Sequence, residues 1–264
     1  MAEYKYFEDF QLGIYKLSDF NGTIINNSDD KRTINLLPDI EHVTETNSNC
    51  DGEAYIKSRR NPKIINIPVM FSKEGVYLNR LTAWLGETEQ QTFNWISDEE
   101  KKEIDVIYDK GFDMGVYYGG KFYGQMDLSF IAHDPLWRIK NEHELKFKSS
   151  ELSTTIPFRG KGNIKCKPTI RLKPNGSQAE IKFRFNDMEV KIKNISNEFY
   201  IECGTGEVYE MINGIKVYSM TKYFSDEMYN FPIIYPFKVN TFTLLNGSLT
   251  ELGITLNSKI NGGY

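Results

Sequence analysis

From Pro168 onward the chain is written in short runs whose residues alternate between apolar and polar, each closed by a turn: "PTIRLKP", "AEIKFRFND", "MEVKIKN", "FYIECGTG", "EVYEMING", "IKVYS", then "FKVNTFTLLNG" and "LTELGITLNSKI". Side chains of an extended strand point to opposite faces in turn, so a period of two buries one face and wets the other. Short alternating strands at regular spacing are the pattern of an all-β sandwich, and no helical stripe competes with them here. Phe and Tyr number 17 and 16 in 264 residues, and flat side chains pack well on pleated, half-buried surfaces. The expected fold is therefore mainly β.

The first half carries the same texture with one exception. "YKYFEDFQLGIYKLSDFNG" alternates around Gly13 and the Asn21-Gly22 turn signal, as short strands or a hairpin do. "NNSDDKRTINLLPDIEHVTETNSNCDGEAY" has few apolar residues and ends in Asp51-Gly52, which predicts a long loop region holding one strand. "PKIINIPVMFS" predicts a strand over Lys63 to Phe71, with Pro68 arguing for an edge position or a bulge. "SKEGVYLNRLTAWLG" predicts the one helix: Ser72 can cap it, Tyr77, Leu78, Leu81, Trp84 and Leu85 share one face, and Gly86 ends it. "EIDVIYDKG" and "GVYYGGKFYGQMDLSFIAHDP" then read as strands, with Gly119-Gly120 as a hairpin turn. Leu128, Phe130 and Ala132 fall on one face of the last, Asp127, Ser129 and Ile131 on the other.

After His133 charge, serine and glycine dominate, so a domain boundary is expected between about Arg138 and Gly162. Placed near residue 150, it divides the chain into domains 1–150 and 151–264, each with mass enough for a core of its own.

Candidate chemistry is sparse. His42 lies in the loop-rich stretch, His133 leaves a strand and His143 sits in the presumed linker, with no HxH, HExxH or Cys/His spacing among them. His133-Asp134 looks like a catalytic pair, yet sequence neighbours at a strand end point in different directions. Pro135, without an N–H and restricting Asp134 to extended geometry, gives the alternative of a strand terminus, with Trp137 plugging the base of the sheet. "SDEEKKEID" reads as a solvated turn or a short exposed helix. "FRGKGN" and "ECGTGE" are glycine turns followed by more strand, not by the helix a phosphate cradle needs. "SRRNPK" gives a small basic patch of Arg59, Arg60 and Lys63, suited to subunit contacts or salt bridges. The Phe and Tyr of the second half alternate as core residues, and no Trp follows Trp137, so the sugar-stacking pattern of a lectin is not indicated. No catalytic, cofactor-binding or metal-ligating residue is assigned, and the expected protein is not an enzyme.

The net charge of −4 gives no reason to expect nucleic acid or an anionic membrane as partner. Cys50, Cys166 and Cys203 are odd in number and far apart, so free thiols are expected. "MAEYKYFEDF" does not read as a signal peptide, and no window approaches the ~18 apolar residues of a membrane span. The chain is expected to be made in a cytosol.

The order of these features resembles the distal tail protein family of long-tailed bacteriophages, the siphophage component abbreviated Dit. The resemblance is carried by "FEDFQLGIYKLSDFNG", the loop closing on "CDGEAY", the strand "RRNPKIINIPVMF" and the helix with "LNRLTAWLG". It continues through "EEKKEIDVIYD" and "YYGGKFYGQMDLSFIAHDPLWR", whose Asp134-Pro135 step matches the way that family's last N-terminal strand ends. "GKGNIKCKPTIRLKP", "EVKIKNISNEFYIECGTGEVYE" and "FPIIYPFKVNTFTL" resemble its second domain in order. Many relatives carry Pro-Gly in the early loop where this chain has Pro38-Asp39-Ile40.

The resemblance implies an N-terminal β-sandwich-type domain with one α-helix that closes into a homo-oligomeric, commonly hexameric, ring. It implies a galectin-like β-sandwich after it. Such a ring sits at the distal end of the virion's tail, and its partners are the tail tube protein, the tape-measure protein, tail-tip or baseplate proteins and receptor-binding proteins. Second domains of the family bind host surface carbohydrate in some members and dock proteins in others, so no ligand residue is carried over. The alternative is a carbohydrate-binding module that anchors a particle or an enzyme to a bacterial surface.

Overall fold

A computed structural model describes residues 9–25, 39–46, 53–96, 101–110, 117–118, 121–225 and 230–262. The chain divides into two compact units, Met1–Lys140 with Asn261–Tyr264, and Asn141–Ile260. Both are mainly β, as the alternating runs predict.

The first unit runs β1 (Phe10–Leu12), β2 (Tyr15–Lys16), β3 (Gly22–Ile24), β4 (Ile40–Thr46), β5 (Glu53–Arg60), β6 (Lys63–Tyr77), α1 (Leu78–Leu85), β7 (Gln91–Trp95), β8 (Lys102–Tyr108), β9 (Tyr117–Tyr118), β10 (Lys121–Ala132) and β11 (Trp137–Ile139). Antiparallel pairing sets the order β2-β1-β7-β8-β10-β6-β3, with β9 beside β10 and β11 beside β8. On β6, Ile65, Ile67, Val69 and Phe71 are buried while Ile64, Asn66 and Met70 are exposed, a clean period of two. Their rings and branches meet an aromatic core in which Phe10 stacks on Phe93 with centroids 5.2 Å apart and Phe20 stacks on Trp84 at 4.3 Å.

Three expectations change here. The helix starts at Leu78 and not at Ser72, because Ser72 to Tyr77 stay in the strand. The Ser72 N–H donates to the Asn21 carbonyl at 3.1 Å, and Gly75 sits at φ +64°, in the left-handed region that a right-handed helix excludes. Leu81, Trp84 and Leu85 are buried as the stripe predicts, whereas Tyr77 precedes the helix and is exposed. Docking is fixed by the Trp84 Nε1–H, which donates to the Leu12 carbonyl at 3.3 Å.

Pro68 lies neither on an edge strand nor at a bulge, since β6 runs between β10 and β3. The Pro68 carbonyl accepts from the Ile25 N–H at 2.9 Å, so its nitrogen also faces the β3 side, just where β3 ends at Ile24. A missing N–H there removes no rung to β10. The loop-rich stretch, finally, contains two strands and not one: β4 and β5 form their own antiparallel hairpin sheet. Its residues 40–44 and 56–60 are exposed or half-exposed, and a ribbon wet on both faces needs few apolar residues, which is why it read as loop. Gly119-Gly120 lies outside the described residues, as do Cys50, Asp51-Gly52 and Pro38.

The second unit is a sandwich of β12 (Leu145–Lys148), β13 (Ile156–Arg159), β14 (Thr169–Pro174), β15 (Gln178–Phe185), β16 (Met188–Ile195), β17 (Glu198–Glu202), β18 (Glu207–Ile212), β19 (Ile215–Tyr218), β20 (Tyr223–Ser225), β21 (Val239–Asn246) and β22 (Leu249–Thr255). A six-stranded sheet, β12-β22-β14-β17-β18-β19, packs on a five-stranded one, β13-β21-β15-β16-β20. The inward residues Ile170, Leu172, Phe183, Phe185, Val190, Ile192, Phe199, Ile201, Phe242 and Leu252 are essentially inaccessible to water.

This unit begins at Asn141, inside the expected window from about Arg138 to Gly162 and ahead of the point near 150. Glu142 accepts from both the N–H and the hydroxyl of Ser258 at 2.7 Å, and β12 pairs with β22. The serine-rich stretch that looks like a linker is a 3-10 turn, Ser149–Glu151, closed by the Lys148 N–H donating to Glu151 at 2.7 Å.

Candidate interaction surfaces

β10 delivers His133 and Asp134 to an exposed bend, and the Asp134 carboxylate accepts from the Leu136 N–H at 3.3 Å. That is an Asx turn around Pro135, which ends the strand as its chemistry requires. Trp137, on β11, is buried edge-on against Phe93 at 6.1 Å, and the Lys63 ammonium lies 5.5 Å over its ring. Its Nε1–H is buried with no hydrogen-bond partner among the described residues. The stretch is a corner of the core.

The other singled-out residues disperse. His42 Nδ1 lies 2.7 Å from the Ser58 hydroxyl across the β4–β5 hairpin, and His143 is exposed at the start of the second unit. Of Arg59, Arg60 and Lys63, Arg59 makes a salt bridge as its sequence setting suggests, pairing with Glu41 at 2.8 Å, an exposed bridge of little energetic weight. Lys63 is taken up by Trp137, and burial lowers its pKa. Of the charged run 97–105, residues 97–100 lie outside the described residues, while Lys102 to Asp105 enter β8 and Asp105 accepts from Arg138 at 2.7 Å and from Thr92 at 3.1 Å. Cys166 and Cys203 are free, buried thiols pushed up to about 11 and about 12 by desolvation, which makes them inert at neutral pH. Among the described residues no three His, Cys, Asp or Glu side chains gather as metal ligands, and no helix is long and apolar enough to cross a membrane.

The first unit offers an apolar row and an exposed hairpin. Ile64, Ile131 and Ile107 stand side by side across β6, β10 and β8 on the outward face, with Ile64 56% exposed. The β4–β5 hairpin pairs with no other described strand and exposes Ile40 and Ile56 at 54% and 53%. Single exposed apolar residues are ordinary, but rows of them on strands are where proteins meet partners.

On the second unit, pairing across the six-stranded sheet aligns Lys146, Gly253, Arg171, Tyr200, Tyr209 and Tyr218 in one row. This row lies on the face away from the core, because Phe199 and Ile201 on either side of Tyr200 point inward. Arg171 is held by Glu144 at 2.7 Å, by Glu251 and by Glu198 at 3.5 Å, and Glu144 above all, then Glu251, raises its already high pKa. Tyr200 stacks on Tyr209 with centroids 5.1 Å apart and planes within 10°, and Tyr218 meets Tyr209 edge-on. The Tyr209 hydroxyl donates to Glu202 at 2.7 Å, and burial with that bond pushes its pKa up to about 12. The sequence expectation that the Tyr of this half are core residues is corrected for the exposed Tyr218 and the half-buried Tyr200, whereas Tyr209 is buried, between Tyr200 and the Lys216 ammonium. Their phase was legible: in "FYIE" the tyrosine alternates against Phe199 and Ile201.

No family model and no curated protein matches the sequence. Among solved structures the fold matches the Dit (gp 19.1) protein of phage SPP1, described as a paradigm of hub adsorption apparatus in Gram-positive infecting phages, with a TM-score of 0.67 and 15% identity over 97% of this chain and 99% of that one. Chains of the phage P2 baseplate in its activated conformation match at a TM-score of 0.47, with 10% identity in the calcium structure and 9% in the strontium structure, over 94% of this chain and 97% of theirs. What the chain shares with SPP1 Dit is its fold, from end to end.

Proposed function

We propose that the protein is a structural hub component of a bacteriophage tail: a homo-oligomeric ring, hexameric in this reading, that joins the tail tube to the baseplate or tip and so belongs to the virion. The observation that carries this reading is the end-to-end likeness in fold to SPP1 Dit, across both units. The first unit, which takes in most of the expected domain 1–150, is the ring-forming one, and the second, Asn141–Ile260, is the galectin-like sandwich that faces the host-recognition proteins. Its partners are the tail tube, tape-measure, tip or baseplate and receptor-binding proteins, and it catalyses no reaction. A closed ring of identical subunits needs two different complementary surfaces on each. The Ile64–Ile131–Ile107 row and the exposed, largely polar β4–β5 hairpin supply two different surfaces on the first unit. Light scattering and negative-stain microscopy of the purified chain, alone and with its tail tube protein, test this. Rings are expected, and a strict monomer in both preparations overturns the reading.

The tyrosine row favours one second reading, a carbohydrate-binding module. The exposed ring of Tyr218, at the end of a row that carries carboxylates and a guanidinium, offers stacking and polar contacts of the kind a pyranose uses. A glycan array on the full chain decides it: saturable binding lost in Tyr218→Ala supports a sugar site, and no saturable binding removes it.

A further inference from the structure

We infer that the free edge of β19 is a docking site for an extended apolar segment of a partner protein, which adds to the six-stranded sheet as a further strand. Among the described residues β19 ends the strand order, with β18 as its neighbour. All four of its residues are exposed, Ile215 at 67%, Val217 at 41% and Tyr218 at 64%. Ile215 and Val217 pair with Ile212 and Glu210, so they point in the inward phase of the sheet. On β18 that phase is covered, since Val208 and Glu210 are buried; on β19 it is bare. The sequence has placed core residues where the opposing sheet does not reach.

The backbone is open as well. Asn213 and Gly214, at φ 51° and 79°, close a two-residue loop of the primed type, whose flanking residues exchange hydrogen bonds. From there the bonded rungs are Ile212 with Ile215, Glu210 with Val217, and the Ser219 N–H to the Val208 carbonyl at 2.8 Å. The N–H and C=O groups of Lys216 and Tyr218 therefore point away from β18, two donors and two acceptors facing outward.

Proteins usually guard such an edge with proline, a bulge or a lysine pointing along it. β19 has no proline and an unbroken register. Its one lysine is folded back over the sheet, with the Lys216 ammonium 4.3 Å above the Tyr209 ring and 3.2 Å from Glu202. The occupant follows from size. Four residues span about 13 Å, far from the about 20–30 residues a side of a stable protein–protein interface, so a second copy meeting this edge alone is too small. A single extended segment suffices, because main-chain hydrogen bonds supply affinity and its alternate side chains cover Ile215 and Val217.

Amide hydrogen exchange on the full-length chain tests this, with a capped hexapeptide of alternating valine and threonine as probe and its N-methylated counterpart as control. The peptide is expected to slow exchange at Lys216 and Tyr218 by about tenfold or more and the control to leave it unchanged. Ile215→Lys charges the bare face and leaves the Lys216–Glu202 contact and the rungs to β18 in place; it is expected to abolish the slowing while the melting temperature holds. Unchanged exchange at these amides under saturating peptide, or slowing confined to another strand, overturns the inference. Slowing without peptide that grows with protein concentration overturns it in favour of a second copy.

Discussion

The guanidinium of Arg171 forks onto Glu144, donating from Nε to Oε1 at 2.7 Å and from Nη2 to Oε2 at 3.1 Å. Its side chain is 10% exposed, so Arg171→Met leaves Glu144, Glu251 and Glu198 facing one another with little water between them. The expected loss is about 2–4 kcal/mol, under the figure for a fully buried pair because the carboxylates keep some solvent. Arg171→Lys recovers only part, since an ammonium cannot make the two-pronged contact. Urea denaturation measures both, and a Met variant as stable as the parent would show that the network is neutral.

Glu202 accepts from the Tyr209 hydroxyl and from Lys216, and the tyrosine hydrogen bond holds its carboxyl below the ordinary glutamate range. A folded-state pKa lower than the unfolded one gives stability that is present at neutral pH and lost as pH falls through the folded value. The melting temperature is expected to drop below about pH 4, and by less in Glu202→Gln, which has no carboxylate to protonate. Tyr209 behaves in the opposite sense, raised from 10.0 to about 12 first by burial. Its contribution is complete below the unfolded pKa and disappears as pH rises through about 12. Ultraviolet titration should find late-ionising tyrosines, Tyr223 among them because burial raises it too, and one fewer in Tyr209→Phe.

Gly75 holds φ +64°, and a Cβ there meets the Phe122 carbonyl oxygen at 2.8 Å. Gly75→Ala is expected to cost about 1–3 kcal/mol through left-handed strain plus that contact. Thermal melts of Gly75→Ala and of Gly214→Ala separate the two terms, because nothing lies within 4 Å of a Cβ at Gly214.

Trp137 is buried with its indole N–H unmatched among the described residues. Trp137→Ala opens a large cavity and is expected to cost about 3–5 kcal/mol. Trp137→Phe deletes the orphan donor along with the second ring, so its cost should be markedly smaller. Equal losses in the two variants, read from denaturation midpoints, would mean that the N–H has a partner in solution.

Where one face is buried, the sequence announces itself: Ile65, Ile67, Val69 and Phe71 alternate with wet residues, and Leu81, Trp84 and Leu85 mark the packed side of the helix. What local pattern cannot carry is pairing between distant segments. Ser72 looks like a cap because serine caps helices, yet Asn21, far away in sequence, takes its N–H. Pro68 looks like an edge because proline lacks a donor, but the donor it lacks would face a strand that stops one residue short. The tyrosine row is legible strand by strand and becomes a surface only when register aligns Tyr200, Tyr209 and Tyr218.

Ile64 offers a test of the proposed ring. It is 56% exposed in the monomer, so Ile64→Asp should change stability by no more than about 0.5 kcal/mol. Buried between subunits, the same carboxylate would be an unpaired charge beside Ile131 and Ile107, and an interface does not tolerate one. Sedimentation should then move from the ring toward the monomer with no change in melting temperature. Phe237→Asp is the control: Phe237 is still more exposed, on the second unit, at a φ of 60° that aspartate accepts more readily than phenylalanine. Rings that survive Ile64→Asp, or that Phe237→Asp breaks equally, would place the contact elsewhere on the subunit.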